Sequence, residues 1–138
     1  MWNSLNQTGK SLLAQYACAK MLVDIPANFI AEITQNYQDR RDALVKACES
    51  VAGLEIFNSA GAFYTIIDLP VDDAESFAKF MLGEFDYENE TVFVAPARGF
   101  YINPNQALNK ARLAFVLKPE SLKRAIEVLG EAITKYNS

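Results

Sequence analysis

The sequence contains no histidine among its 138 residues. A Ser-His or Cys-His nucleophile pair and most zinc sites need an imidazole, so those mechanisms are excluded. Any chemistry at this chain must then depend on a cofactor or on another polypeptide segment. We therefore expect no catalytic residue and no metal ligand in the sequence itself.

Cysteine is also scarce, with only Cys18 and Cys48 present. They stand thirty positions apart in segments of helical pattern, without a CxxC pair. We therefore expect two buried free thiols rather than a disulfide or a metal site, as is typical of the reducing cytoplasm. No apolar stretch approaches the roughly 18 residues of a membrane helix, and the first ten residues lack the apolar core of a signal peptide.

The chain has no excess of positive charge, with 13 lysines and arginines against 17 aspartates and glutamates. A partner of high negative charge, such as nucleic acid or an anionic membrane, needs a basic face that this composition does not supply. The hydrophobic fraction of 51% is enough for a compact core without disulfide support. We expect a globular protein that binds anions only through local features.

The hydrophobic period changes near Gly53. Before it, two apolar stripes of helical spacing predict two helices, the second about 25 residues long and ending at that glycine. After it, alternating and β-branched stretches predict four short strands and two further helices, in the order ααββαββα. We therefore expect an α+β fold, a two-layer sandwich in which helices cover a small mixed or antiparallel sheet of about four strands. Residues 1–50 are expected to form a helical arm and residues 51–138 the α+β domain.

Two local signals predict backbone details of this domain. Gly61, between the first two strands, is suited to a positive φ. Asp72 followed by Glu75 resembles a capping box at the start of the third helix.

Two short motifs favour ordinary structure over a ligand site. QTGKS at residues 7–11 resembles the end of a phosphate-binding loop, but Ser4 stands where the first glycine is needed and no strand precedes it. DYENE at residues 86–90 matches no compact calcium loop, so we interpret it, with Asp72 and Asp73, as acidic surface and helix capping.

Arg112 is the sharpest candidate for a binding residue. Alternation in the last strand places Leu113, Phe115 and Leu117 on one face, and Arg112 on the other with Ala114 and Val116. A guanidinium in front of small residues binds a carboxylate through two parallel hydrogen bonds. From periodicity alone, a solvent-facing arginine at the start of a strand remains the favoured explanation.

The segment before this strand, residues 95–110, is longer than most connections in a compact domain. It is either a functional loop or an ordinary surface excursion with Phe100 tucked beneath it.

Four stretches in order resemble the C-terminal part of the pyridoxal-phosphate-dependent aminotransferases of fold type I, aspartate aminotransferase-like class. They are YQDRRDALVKACESVAGLEIF, SAGAFYTIIDLP, TVFVAPARGFY and ARLAFVL with its following helix. Departures from the family pattern include Ser59 in place of a proline and Arg98 in place of a small residue.

This resemblance implies a fragment of an enzyme that transfers an amino group between an amino acid and a 2-oxo acid. Arg112 matches the family arginine that binds the substrate's α-carboxylate. Gly61, Ala62, Phe63 and Tyr64 match the G-A-F-Y strand that supports the substrate side of the cleft. Members of the family are roughly three times this length, and none of the lysines here, including Lys10, stands in the family's S-K motif for the Schiff base.

The resemblance thus implies pyridoxal phosphate in the complete enzyme, with no stable binding and no activity expected of this chain alone. It also implies that the chain docks on a large domain or forms a homodimer. The chain would then be a truncated gene product, one subunit of a split enzyme or an excised piece of a longer protein. Two other classes remain open. The chain is alternatively a small-molecule-binding regulatory domain, or a structural domain that docks through its N-terminal helices.

Overall fold

The computed structural model of the protein describes residues 11–57 and 59–138. Residues 7–10 of the QTGKS segment, with Lys10, lie outside this part of the chain. The four helices are α1 (Leu12–Asp24), α2 (Phe29–Cys48), α3 (Ala74–Gly83) and α4 (Pro119–Tyr136). The four strands are β1 (Glu55–Ile56), β2 (Tyr64–Asp68), β3 (Ala95–Pro96) and β4 (Lys110–Ala114), and two 3-10 turns, Arg98–Phe100 and Pro104–Ala107, lie between β3 and β4. The predicted order ααββαββα is confirmed.

The chain divides into two compact units, Met1–Thr34 and Gln35–Ser138. This division lies inside α2, whereas the sequence placed a boundary near residue 50. Leu44 and Cys48 near the end of α2 are buried in the same core as the sheet, so this end of the helix belongs to the second unit.

In the first unit, α1 has no buried residue. Its large apolar side chains are between 65% and 81% exposed: Leu12, Leu13, Tyr16, Met21, Leu22 and Val23. The expectation of two buried thiols is therefore wrong for Cys18, which is exposed, and correct for Cys48. Burial raises the pKa of the Cys48 thiol to about 11, because the charged thiolate is disfavoured away from water.

The sheet of the second unit has the strand order β1-β2-β4-β3, and all of its pairs are antiparallel. β4 is therefore an inner strand. In its register, Arg112 stands opposite Ile66 of β2 on one side and opposite Ala95 of β3 on the other. The sequence left open whether the sheet is mixed or antiparallel, and it is antiparallel.

The two faces of the sheet differ in burial. The side chains of the inner face are buried: Thr65, Ile67, Ala111 and Leu113. The last three belong to the hydrophobic core, which also contains Phe77 of α3. On the outer face Tyr64, Arg112 and Ala114 are exposed. This is the predicted two-layer α+β arrangement, with the helices on one face and an open face on the other.

Two predicted backbone details are displaced by one residue. The positive φ falls on Ala62, at 62°, and not on Gly61. The cap of α3 is Asp73, whose side chain accepts a hydrogen bond from the Ser76 amide at 2.8 Å, whereas Asp72 accepts one from the Asp73 amide. The Ser76 amide is the main reason that the pKa of Asp73 is lowered, because it favours the charged carboxylate.

Two predicted elements are shorter than expected. The stretch TVFVAP pairs with β4 only at Ala95 and Pro96. α2 ends at Cys48, and a turn that includes Gly53 with φ of 76° follows it. Leu117, predicted on the same face as Leu113 and Phe115, lies beyond the end of the strand at Ala114 and is exposed.

Candidate functional site

Arg112 lies on the open face of the sheet, where the sequence predicts it. Its side chain is exposed, although its backbone is held between two strands. Within the described residues, no aspartate or glutamate forms an ion pair with Arg112. The guanidinium therefore retains its charge and its N-H donors for an external anion.

Two aromatic rings lie beside this guanidinium. The Arg112 Cζ atom is 5.3 Å from the ring centroid of Tyr64 in β2 and 5.3 Å from that of Phe100 in the first 3-10 turn. Each contact lies within the range of a cation–π interaction. The rings restrict the position of the side chain without supplying an acceptor for its N-H groups.

Lys110, the other cation on this face of β4, is neutralised. Its Nζ donates to both carboxylate oxygens of Asp68 at 2.5 Å. The ammonium also lies 4.9 Å from the ring centroid of Phe57. The Lys110 side chain is only 16% exposed, so this pair is partly shielded from water. Of the two cations that β4 presents on its open face, only Arg112 is left for an anionic ligand.

A cavity of about 310 Å³ lies on the same part of the sheet, although Arg112 itself does not line it. It is lined by Phe57, Ser59, Tyr64, Thr65, Ile66 and Tyr101. Two of these residues also flank the arginine, since Ile66 is its cross-strand partner and Tyr64 its aromatic neighbour. The hydroxyls of Ser59 and Thr65 are used within the protein, donating to the carbonyls of Gly61 and Phe57 respectively.

The long segment between β3 and β4 is fixed at both ends. The Ala97 amide donates to the Lys110 carbonyl at 2.8 Å, which extends the strand pairing into the first 3-10 turn. At the other end, the Ala74 amide donates to the Leu108 carbonyl at 2.7 Å. Phe100 is not tucked beneath the segment; it is 63% exposed and lies beside Arg112. The loop thus contributes directly to the surroundings of the candidate residue.

The G-A-F-Y residues take different positions. Tyr64 contacts the guanidinium, and Phe63 packs edge-on against Tyr64 with the ring centroids 5.4 Å apart. The Phe63 carbonyl accepts from the Phe115 amide, which prolongs the pairing of β2 and β4. Gly61 and Ala62 lie in the turn before the strand, and the ring contacts of Arg112 are made by Tyr64 and Phe100 instead.

Sequence reasoning missed Phe57, Phe100, Tyr101 and the Lys110–Asp68 pair as parts of this surface. One signal for Lys110 was present, because it stands two residues before Arg112 and therefore shares its face of the strand. The aromatic residues come from distant segments, and no local pattern indicates that they meet.

Two acidic side chains of the DYENE segment form ion pairs with an arginine of α4. Arg124 of α4 donates to Glu88 at 2.6 Å and to Glu90 at 2.7 Å, and it also pairs with Glu127. These carboxylates, Glu90 foremost, raise the pKa of Arg124. Across the described ranges, no three histidine, cysteine, aspartate or glutamate side chains are grouped so that they could hold a metal ion.

A larger cavity, of about 630 Å³, lies between the end of α2 and α4. It is lined by two lysines and two glutamates among other residues: Lys46, Lys123, Glu127 and Glu131. Neither cavity is lined by Arg112, but the smaller one shares Tyr64 and Ile66 with the surroundings of this arginine, whereas the larger one shares no residue with them. No helix in residues 11–57 or 59–138 is long and apolar enough to cross a membrane.

The chain is similar to known proteins of one family. The family described as aminotransferase class I and II matches residues 3–129. A probable aspartate/prephenate aminotransferase of Aquifex aeolicus (strain VF5) is 26% identical over 132 residues, which are 95% of this chain and 32% of that protein. The chain thus spans about a third of this curated relative.

Solved structures show the same fold. An Escherichia coli protein, YbdL, with a methionine aminotransferase function superposes with a TM-score of 0.67 at 28% identity, over 86% of this chain and 30% of that one. The α-aminoadipate aminotransferase LysN of Thermus thermophilus gives a TM-score of 0.69 at 20% identity, over 84% of this chain and 29% of that one.

Proposed function

Because the chain belongs to the class I and II aminotransferase family, we propose that it supplies the part of an aminotransferase that binds the substrate's α-carboxylate. Arg112 is the binding residue. The observation that carries the proposal is a guanidinium fixed on an inner strand of the sheet, exposed and without an ion-pair partner in the described residues. The substrate would be an amino acid or a 2-oxo acid, since both carry this carboxylate.

The geometry gives Arg112 two tasks. Its planar fork binds both carboxylate oxygens, which fixes the orientation of the ligand as well as its position. Tyr64 and Phe100 hold the guanidinium in place, so little side-chain freedom is lost when a ligand binds. Gly61, Ala62 and Phe63 support the site by setting the course of the chain into β2.

The chemistry of amino-group transfer needs pyridoxal phosphate, which acts as an electron sink when it is attached to a lysine. The described residues do not fit this cofactor. Lys110 is the lysine on the same face as Arg112, and both oxygens of Asp68 hold its ammonium. We therefore propose that the cofactor belongs to the rest of the complete enzyme, and that this chain does not transaminate alone.

The isolated chain is expected to form no stoichiometric adduct with pyridoxal phosphate. The test is to mix the two, reduce with borohydride and determine the mass of the intact chain and of its peptides. A complete family enzyme treated in parallel is the positive control, and scattered substoichiometric labelling of surface lysines is the expected background. One pyridoxyl group per chain on a single lysine would contradict the proposal.

A second proposed role concerns the first unit, whose α1 exposes nearly all of its apolar side chains. Contiguous apolar surface of this kind is typical of a protein–protein contact. We propose that this arm docks on another polypeptide of the complete enzyme. In its absence the chain is expected to self-associate as its concentration rises, as measured by sedimentation velocity.

The matched variants for this test place one charge on an exposed leucine in each of two helices. Leu22→Glu in α1 is expected to reduce self-association, whereas Leu82→Glu in α3, at a residue of comparable exposure, should leave it unchanged. A wild-type chain that stays monomeric at every concentration would refute the docking role.

A further inference from the structure

We propose that the cavity beside Arg112 receives an uncharged aromatic or large apolar side chain, so that the ligand of this site is an arylalkyl monocarboxylate rather than a dicarboxylate. The inference rests on the proposed function, because Arg112 must bind the ligand's carboxylate. It goes further by assigning the residues that select the rest of the ligand.

The position and size of the cavity suit the side chain of a small ligand. Its volume of about 310 Å³ is at the lower end of the range for small-ligand pockets, roughly 300–1,000 Å³. Ile66 and Tyr64 belong both to its wall and to the surroundings of Arg112. In the proposed arrangement the ligand's carboxylate lies on the guanidinium, and its side chain passes Tyr64 and Ile66 into the cavity.

The wall of the cavity is largely aromatic and apolar. Three of its six lining residues are aromatic, and Ile66 adds an aliphatic surface. Such rings favour an aromatic ligand through offset or edge-to-face packing. The Ser59 and Thr65 hydroxyls already donate to backbone carbonyls, so they leave the wall less polar than its composition suggests.

The wall of the cavity carries no charged side chain. Its six lining residues include no lysine, arginine, aspartate or glutamate. Lys110, whose ammonium lies against the ring of the lining residue Phe57, is held by both oxygens of Asp68. A dicarboxylate would place its second charge against aromatic rings with no cation to balance it, which is unfavourable.

The test compares three simple carboxylates on the 138-residue chain: propionate, succinate and 3-phenylpropionate, each titrated at pH 7 and followed by heteronuclear NMR. Partial burial of the phenyl ring is expected to make 3-phenylpropionate bind about tenfold more tightly than propionate. Succinate is expected to gain no more than about twofold, the statistical factor for two identical ends. Succinate binding as tightly as 3-phenylpropionate would overturn the inference.

A matched pair of variants tests the cavity by gain of function. Tyr101→Lys adds a cation to the wall and is expected to raise succinate affinity about tenfold while lowering that of 3-phenylpropionate. Ile102→Lys adds the same charge at the next residue, which is fully exposed and does not line the cavity, so the order of the three ligands should not change. The same response in both variants would overturn the assignment of Tyr101.

Arg112→Gln separates this inference from the proposed function. If the variant loses binding of all three ligands while the wild-type chain shows no preference among them, the carboxylate site stands and only the aromatic cavity is refuted. If the variant binds all three as the wild type does, or if the wild type binds none, both are refuted. Loss of binding in the variant together with the expected order in the wild type supports both.

Discussion

Replacing Arg112 with lysine is expected to weaken carboxylate binding about tenfold, although the charge is kept. An ammonium is a point charge that cannot reproduce two parallel hydrogen bonds in the plane of a carboxylate. It also loses the broad contact that the guanidinium makes with the rings of Tyr64 and Phe100. The measurement is a titration of the chain with propionate, and in a complete enzyme the corresponding loss is expected in kcat/KM.

The control is Arg98→Lys, which makes the same exchange in the loop before β4. Arg98 makes a long ion pair with Asp73, at 3.9 Å, and its side chain is 39% exposed. Such a contact contributes little, so propionate affinity should not change. Equal affinity in the wild type and in Arg112→Lys would show that the fork is not what binds the carboxylate.

Phe77→Ala is expected to lower the free energy of unfolding by about 3–5 kcal/mol. Phe77 is fully buried in the middle of α3, and its ring packs against Phe80 and Tyr136 with centroid distances of 6.4 and 5.3 Å. Truncation removes this apolar surface and leaves a cavity under the sheet. Because domains of this size are stable by only about 5–15 kcal/mol, the loss should bring the unit close to unfolding.

Urea denaturation followed by circular dichroism measures this loss. Leu82→Ala is the matched control in the same helix, and its exposed side chain should cost less than about 0.5 kcal/mol. A loss below about 1 kcal/mol for Phe77→Ala would mean that the core closes around the vacant space.

The local sequence of β4 predicts which of its side chains are buried. It does not predict which other residues surround Arg112. Alternation in LNKARLAF is enough to separate Arg112 from Leu113 and Phe115, because successive side chains of a strand point to opposite faces. The partners of Arg112 depend on sheet order and on the path of the loop, which bring Tyr64 and Phe100 together from segments more than thirty residues apart. These are tertiary contacts, and no local sequence pattern indicates them.

The sequence predicts the helix cap and the positive φ each one residue too early, and both errors have the same physical origin. Asp72 and Asp73 are both good caps, and the choice between them depends on which one has its side chain directed at the Ser76 amide. Gly61 and Ala62 are adjacent, and the positive φ falls on the alanine, where it costs free energy that glycine would not. Composition identifies such a turn, but it does not determine which residue takes the unusual conformation.

In the predicted helical arm, the hydrophobic periodicity predicts the helix correctly but does not predict burial. Leu12, Leu13 and Tyr16 have the spacing of a helix, and α1 forms, but no residue in it is buried. Periodicity predicts a helix, whereas burial also requires a surface for that helix to cover.

The strand order has a consequence for the time course of ligand exchange. Arg112 is anchored on an inner strand whose backbone is hydrogen-bonded on both sides, whereas Phe100 and Tyr101 belong to a short 3-10 turn and its cap. Segments with few backbone hydrogen bonds open far more readily than inner strands. If the site binds a bulky ligand as proposed, we therefore expect the rate at which that ligand leaves to depend on opening of the turn and not on the strand that carries Arg112.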